Sequence, residues 1–479
     1  MPNKRANVKN EKQYEALKDK GMSKERAAKI ANSPGASSRG GKKSGSGSSR
    51  SNSSQGGTTA QKKRPPAARA GRQRPARASH SRRTLRPMRP ETLTSRVGAG
   101  LSASTWAAEA AGEAAREARD GLEGASVDLA FLFLSAEHFA GAEEALAAVE
   151  RELVPEHLLG CVAQGVVARD RELESGPGAA VWAASLPEAE IETFHSVAFG
   201  TEDGVAVSGI PMLDGADLVT FLVDPFTFPA SGFLAKLNEE EDGVPLVGGL
   251  AAGAGDPDTQ VLFLDGEVLR EGAVGAVLRG VPVRTVVSQG CAPIGRDAVV
   301  TSAEGNVIFE LAGETALERL KTDLGTLTDK EQRLAANGGV LAGLVIDENR
   351  AEYRRGDYLM RGLIGVDEET GALAIGEPVR VGQSLRFHVR DARSADEDLR
   401  ENLSGALDGD RAAGALLFTC NGRGTNMFPE GDHDARAVGE ALGADDAVAG
   451  FFCAGEIGPV GGKPFLHGFT ATLAVFLES

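Results

Sequence analysis

The chain has 479 residues, with 52 Lys and Arg against 68 Asp and Glu, a formal net charge of −16. The average conceals two oppositely charged parts: residues 1–90 hold 24 basic and 4 acidic side chains, which leaves 28 basic and 64 acidic for the rest. An acidic body repels polyanions, so nucleic-acid binding is excluded as its default role, whereas the basic arm attracts them. Cys161, Cys291, Cys420 and Cys453 are too widely spaced for a CxxC knuckle or a dense disulfide framework, so a reducing compartment is expected. No run approaches the roughly 18 apolar residues of a membrane span. The first residues lack an apolar signal core, and a cytoplasmic location follows as the expectation.

In residues 8–31, Tyr14, Leu17, Met22, Ala27 and Ile30 make a thin apolar stripe. The pattern predicts two short helices divided at Gly21, with too little apolar area to fold firmly alone. This stretch is similar to the start of certain small actinobacterial proteins of uncharacterised function. Residues 33–90 are Ser/Gly-rich and then Arg/Pro-rich, a composition that predicts disorder. After Tyr14 the arm has no Trp, Phe or Tyr, so nucleic-acid contacts there would be to phosphates and would weaken with salt. An Ala-rich helix is predicted around Ser104–Arg119.

From Val127 a pattern repeats. VDLAFLFLS is a buried strand, AGAEEALAAVEREL a helix, HLLGCVAQG a strand ending in a Gly turn, and GAAVWAASL a further strand. ADLVTFLVD, SGFLAKLNEEE, PLVGGLAAG and AVGAVLRG follow the same order, and the segment from AGALLFTC to FTATLAVF follows it a third time. Strand–helix–strand in one sheet demands a parallel crossover, and the added strand is antiparallel. The unit is therefore β-α-β-β, used three times in mixed sheets, with Ser135, Asp224 and Cys420 at equivalent strand ends. Between the second and third copies, two strands flank a Glu304-Gly305-Asn306 hairpin, and a helix starts near Glu314. The polar stretch Thr322–Gly338 is expected to link two domains. Val340–Ile346, Leu359–Val366 and Ser384–Val389 predict strands, and Ala395–Leu403 a short helix closed by Ser404-Gly405.

SQGCAPIG, VTSAEGNVIFEL, GDYLMRGLIGVD, LRFHVRDA, LLFTCNGRG and GFFCAGEIGPVGGKPFLHGFT resemble the FIST family (F-box and intracellular signal transduction proteins). The resemblance implies a FIST N-terminal domain over 127–321 and a FIST C-terminal domain over 334–479; the helical segment at 1–32 and the basic arm at 33–96, read from composition, lie outside it. It implies an α/β fold of two packed mixed-sheet domains and a sensory module for small ligands such as amino acids. It carries no catalytic residue, no cofactor and no metal.

The residues that would form a site cluster near the C-terminus. Two apolar runs stop at Cys420-Asn421-Gly422-Arg423-Gly424 and at Cys453-Ala454-Gly455-Glu456, and Gly-rich strand ends let backbone approach a ligand. Cys420, near an Arg and turn amides, is either a thiol of lowered pKa or a buried small hydrophobe. Arg423 offers a planar fork for a carboxylate or phosphate, or pairs with Glu456. Glu456 in apolar surroundings needs a partner, which an ammonium group would also satisfy. Arg423 for a carboxylate and Glu456 for an amine are the minimum for an α-amino acid. His467 has structural packing as its favoured role. Cys161 and Cys291 are expected to pack, with an N-domain pocket as the alternative.

GxxxxGK[ST], HExxH and GxSxG are absent. The expected function is a small-ligand-binding sensory protein, not an enzyme, contacting its ligand through Cys420, Asn421, Arg423, Gly424, Glu456 and His467. The alternatives are a cysteine-based enzyme, with Cys420 and His467 as the nucleophile pair and Glu456 orienting the His, or a protein tethered to nucleic acid by its arm. The arm either folds back loosely on the acidic body or binds an external polyanion, and the denser charge of DNA favours the second. Gel-shift titration of the full chain is expected to show weak, sequence-independent binding that falls steeply with salt and vanishes without residues 1–90. Binding that survives the deletion would contradict the charge argument.

Overall fold

The thrice-repeated sequence pattern becomes three copies of one strand–helix–strand–hairpin–strand unit. The computed structural model describes residues 94–478 except 203, 242, 254, 330, 331, 333, 334, 336–338, 351 and 444–446. The short helices and disorder expected before residue 94 lie outside the described residues.

β1 (Arg96–Ser102) and α1 (Ala107–Gly121) precede the first unit, which runs β2 (Leu129–Ser135), α2 (Ala142–Leu153), β3 (His157–Ala163), a hairpin of β4 (Val166–Ala168) and β5 (Arg171–Leu173), and β6 (Ala179–Ser185). A long hairpin follows, of β7 (Glu190–Thr201) and β8 (Gly204–Ser208). The second unit is β9 (Leu218–Val223), α3 (Ala230–Glu240), β10 (Leu246–Leu250), a hairpin of β11 (Leu262–Leu264) and β12 (Glu267–Leu269), and β13 (Ala273–Arg279). After β14 (Val283–Gln289) come β15 (Cys291–Pro293), β16 (Ala298–Glu304), β17 (Val307–Leu311), β18 (Glu314–Thr315), α4 (Ala316–Leu324), β19 (Val340–Val345), β20 (Tyr358–Asp367), β21 (Ala372–Ile375) and β22 (Ser384–Arg390). α5 (Ala392–Leu407) leads into the third unit: β23 (Ala412–Cys420), α6 (His433–Leu442), β24 (Val448–Cys453), a hairpin of β25 (Glu456–Val460) and β26 (Lys463–His467), and β27 (Thr470–Leu477).

Within each unit the strands flanking the helix are parallel and the last strand is antiparallel to the first. The hairpins do not stay in their own sheets. β4–β5 of the first unit extend the third unit's sheet beside β24; β11–β12 of the second extend the first beside β3; β25–β26 of the third extend the second beside β10. The exchange is cyclic, and each sheet carries strands from two units.

Alternation explains why the unit strands are apolar throughout. Leu129, Phe131 and Phe133 of β2 join the core shared between sheets, while Ala130, Leu132 and Leu134 pack under α1 and α2. α1 is Ala-rich because it lies hard against β1: a Cβ on Gly98 or Gly100 would sit 2.1 and 2.0 Å from the carbonyl oxygens of Ala118 and Ala114. The parallel pairs have one glycine in common. Gly160, Gly248 and Gly450 lie opposite Leu132, Phe221 and Leu417. A Cβ at these glycines would come within 1.9, 1.9 and 1.6 Å of those residues' carbonyl oxygens. The expected equivalence of the strand ends holds: Ser135 pairs with Ala163, Cys420 with Cys453, and Asp224 follows Val223, which pairs with Leu250.

Between the second and third units, β16, β17, β21, β20, β19 and β22 close into a six-stranded ring. Its filling includes Val300, Ile308, Leu344, Leu373, Leu385 and Phe387. Strands on both sides of residues 322–338 belong to this one ring. The helix expected near Glu314 starts at Ala316, where the Thr315 side chain accepts from the Glu318 N–H. The helix read as Ala395–Leu403 runs from Ala392 to Leu407. Asp391 caps its start, and Asp408 ends it in the left-handed region at φ 43°. Ser404 and Gly405, expected to close the helix, lie inside it.

These glycines predict opposite responses to one methyl group. Gly450→Ala is expected to cost about 3 kcal/mol or more, because only backbone lies in the way. Gly405→Ala, with nothing within 4 Å of the new carbon, is expected to stabilise by roughly 0.5–1 kcal/mol. Urea unfolding of the two variants checks both signs.

Candidate functional site

The parallel strands β23 and β24 end side by side at Cys420 and Cys453, as expected. Beyond Cys420 the chain turns, and the whole Arg423 side chain is buried. Its Nε donates to Asp434 Oδ2 at 2.7 Å and its Nη2 to Oδ1 at 2.8 Å. Thr419 Oγ1 also donates to Asp434, at 2.7 Å. Burial opposes the charge on Asp434, but the guanidinium and His433 outweigh it and hold the carboxyl below its ordinary range. The start of α6 also favours a negative charge there. Arg423 lies over the Phe428 ring, 5.2 Å from its centroid. The pairing of Arg423 with Glu456, one of the two alternatives read from sequence, does not form; Asp434, at the helix start beside the turn, takes that place.

The first unit's hairpin holds this turn. Glu172 on β5 accepts from the Ala435 N–H at 3.0 Å, and its own N–H donates to Asp432 Oδ1 at 2.7 Å. Burial, followed by the charge of Asp434, raises the Glu172 carboxyl to about 8. Glu174 accepts from Thr425 N–H and Oγ1 at 2.8 and 2.7 Å. Gly424 is required here: φ is +51°, and a Cβ would lie 2.6 Å from the Glu174 carboxyl carbon.

Glu456 is fully buried on the other side. Its Oε2 accepts from Thr470 N–H at 3.1 Å and Oγ1 at 2.9 Å, whereas Oε1 meets no hydrogen-bond geometry among the described residues, the Cys420 thiol being its polar neighbour. Burial raises its carboxyl to about 8. Cys420 Sγ accepts from the N–H groups of Phe469 and Gly422 at 3.2 and 3.4 Å. Burial and then the charge of Glu456 push this thiol up to about 12, against the lowering expected from the turn amides. Two weak hydrogen bonds to sulfur do not offset loss of solvent. His467 pairs through Nε2 with the Gly458 carbonyl at 2.9 Å, while Nδ1 has no partner among the described residues. The Cys420–His467 pair with Glu456 orienting the His is therefore not assembled; Glu456 turns to Thr470 and His467 to Gly458. Asn421 is held by backbone, donating to the Cys453 carbonyl at 2.9 Å and accepting from Asn426. Cys161 and Cys291 are buried within β3 and β15, and all four thiols are free.

Of the predicted residues, His467 reaches a cleft. This cleft, of about 580 Å³, lies between the first turns of α3, strand β20, residues 376–383 and the turn Leu466–Phe469. Gly232, Gly362, Gly376 and Gly468 line it, and a Cβ on any of them would meet nothing within 4 Å. The absent side chains leave the space open. Arg361 lies in its wall, ion-paired with Glu377 and donating to the Met360 carbonyl at 2.9 Å. Arg380 also lines it, and the first turn of α3 carries no acidic residue. Phe469 sits between this cleft and Cys420 with φ +63°, a strained conformation for a bulky residue. Sequence reasoning missed Arg361 and Glu377. The signal was the Arg361-Gly362 dipeptide, which resembles Arg423-Gly424 in its chemistry.

A wider depression of about 810 Å³ is lined by Arg96, Glu123, Asp410, Arg411 and Glu478 among others. Its charges are matched in pairs: Arg96 with Glu123, Arg411 with Glu478, and Asp410 with Arg284. Among the described residues there is no His, Cys, Asp or Glu cluster suited to a metal ion. No described helix is long and apolar enough to cross a membrane.

Comparison with known proteins agrees with the architecture. Residues 128–314 match the FIST N domain, residues 316–459 the FIST C domain, and residues 3–48 a family of unknown function (DUF7218). An uncharacterised protein of Mycobacterium tuberculosis is 45% identical over 387 residues, covering 80% of this chain and 100% of its own. An uncharacterised protein of Mycobacterium bovis is 43% identical over 387 residues, covering 80% of this chain and 99% of its own.

Removing one partner of the Arg423–Asp434 pair leaves a buried charge uncompensated. Arg423→Ala is expected to destabilise the protein by about 3–5 kcal/mol in denaturant titration. A loss below about 1 kcal/mol would mean that His433 or solvent takes over the carboxylate.

Proposed function

The chain belongs to the FIST family, whose domains are associated with signal transduction and small-ligand sensing, and from that premise we propose that it binds a small carboxylate or amino acid in the cleft beside His467. The carrying observation is the composition of that cleft: a half-sequestered Arg361–Glu377 pair facing space kept open by four glycines. The volume is in the range of small-molecule sites. The Arg and Glu expected to take an amino acid's two charged groups recur here as Arg361 and Glu377, in place of Arg423 and Glu456. Arg361 offers a fork to a carboxylate, with Arg380 and the uncompensated start of α3 beside it. Glu377 offers its carboxylate to an amine.

In this reading Cys420, Asn421, Arg423, Gly424 and Glu456 support the wall behind Phe469, and His467 touches the ligand. The separation of Cys420 from His467 and the high pKa of its thiol favour sensing over cysteine-based catalysis. In this reading any output passes through a partner or through the basic arm.

A thermal-shift screen of the full chain against amino acids and small carboxylates tests the reading. A ligand at about 100 times its Kd stabilises the native state by about 2.7 kcal/mol, a rise of a few degrees. Arg361→Ala is expected to abolish the rise. No shift with any compound, or a shift that survives Arg361→Ala, would reject this cleft.

A further inference from the structure

The sheets of the three units end in β1 and β12, in β26 and β8, and in β14 and β5. An edge strand offers its backbone N–H and C=O groups to any extended chain, and proteins blunt such edges with charge or proline. All of these edges but one are blunted: Arg96 stands on β1, Glu267 on β12, Lys463 and Pro464 on β26, Arg284 on β14 and Arg171 on β5. β8, Gly204-Val205-Ala206-Val207-Ser208, carries neither charge nor proline. β13 pairs with β7 only as far as Ser196, so Val197–Thr201 and β8 run beyond it as a two-stranded ribbon. A lone ribbon is marginally stable in water. Its apolar side chains face solvent: Phe199 is 50% exposed and Val205 64%.

We propose that β8 pairs antiparallel with β8 of a second copy of this chain, joining two sheets across a two-fold axis. An axis perpendicular to the sheet keeps each face on its own side, so residues of like face must pair. Only an axis at Ala206, the middle of β8, pairs the whole strand: Ala206 meets the partner's Ala206, Val205 the partner's Val207, and Gly204 the partner's Ser208. Val205 and Val207 share the face of Gly200 and Ala198, and there the valines of both copies form β-branched cross-strand pairs. On the other face Phe199 lies opposite Ala206, so the row across the axis reads Phe199, Ala206, the partner's Ala206, the partner's Phe199. Small side chains meet at the axis and large ones flank them, a self-complementary surface. Charge points to the same occupant. Residues 91–479 carry 64 acidic against 28 basic side chains, and two copies repel over most of their surface. A strand without charge is where they meet at least cost, and the acids of its loop, Glu202 and Asp203, fall outside the paired residues.

Sedimentation velocity of the full chain at physiological salt tests the pairing. A monomer–dimer equilibrium is expected with a Kd on the order of 10 μM, because a short added strand makes a small, transient interface. Val205→Lys, at an exposed position, is expected to keep the circular dichroism spectrum and lose the dimer. Ala206→Cys tests the register independently. Residues directly opposed across an antiparallel pair lie within disulfide reach, and the native thiols are all buried. Mild oxidation is expected to join two copies of Ala206→Cys into a dimer band on a non-reducing gel, and to join Ser208→Cys, which faces the partner's Gly204, far more slowly. A chain still monomeric at about ten times the expected Kd overturns the inference and leaves β8 to an extended strand of another protein. A dimer that survives Val205→Lys, or equal cross-linking at 206 and 208, overturns it as well.

Discussion

The exchange of hairpins between units is the constraint from which the rest of the structure follows. Each parallel pair of strands has an open edge, and its backbone N–H and C=O groups must find partners. In all three sheets the partner is a two-stranded hairpin from another unit. Each closure therefore ties chain segments far apart in sequence, and no unit completes its sheet alone. β25 meets β10 at Gly248 and Gly249, where the absence of side chains allows the close approach; a Cβ on Gly249 would sit 2.3 Å from Cys453 Sγ.

The same exchange builds both polar regions. β4–β5 brings Glu172 and Glu174 to the turn after Cys420 and to the first turn of α6. β25–β26 carries His467 out of the third unit's sheet to the cleft formed with α3 and the ring of strands, while Glu456, its register partner, stays inside against Thr470 and Cys420. The open end of this hairpin thus has one residue among those lining the cleft and its cross-strand partner in the interior. The strained Phe469, a lining residue of the cleft, joins them, with its N–H on Cys420 and its ring under the Arg390 guanidinium. Any displacement of this turn must change the contacts of both.

Buried charge is handled differently on the two sides. Arg423 and Asp434 share two hydrogen bonds, a geometry in which the mutual attraction offsets desolvation. Glu456 has no cation within hydrogen-bonding distance among the described residues, and burial raises its pKa until neutral and ionised forms are comparable near neutral pH. The acid–base pairing legible in sequence, Arg423 with Glu456, was chemically reasonable. Asp434, eleven residues beyond Arg423, won because the turn delivers the guanidinium to the start of α6, where N–H groups and the helix dipole already favour an anion.

Local periodicity determined most of the unit architecture: the apolar runs, the intervening helices, the glycine at each parallel pair and the equivalence of the strand ends are all set within some forty residues of chain. Local signals also fell short locally, as in α5, where Gly405 looked like a stop but Asp391 and Asp408 set the ends. What only the tertiary structure decided was pairing across distance. The ring closure of β19 on β22, the exchange of hairpins, the Asp434 partner of Arg423 and the meeting of Arg361 with His467 depend on backbone edges that any strand of suitable length can satisfy. Alternation records which face of a strand is buried, but it does not record which neighbour lies at the strand's edge. Hydrogen bonding along that edge is made by backbone atoms common to every residue, so its specificity comes from the packing of the whole.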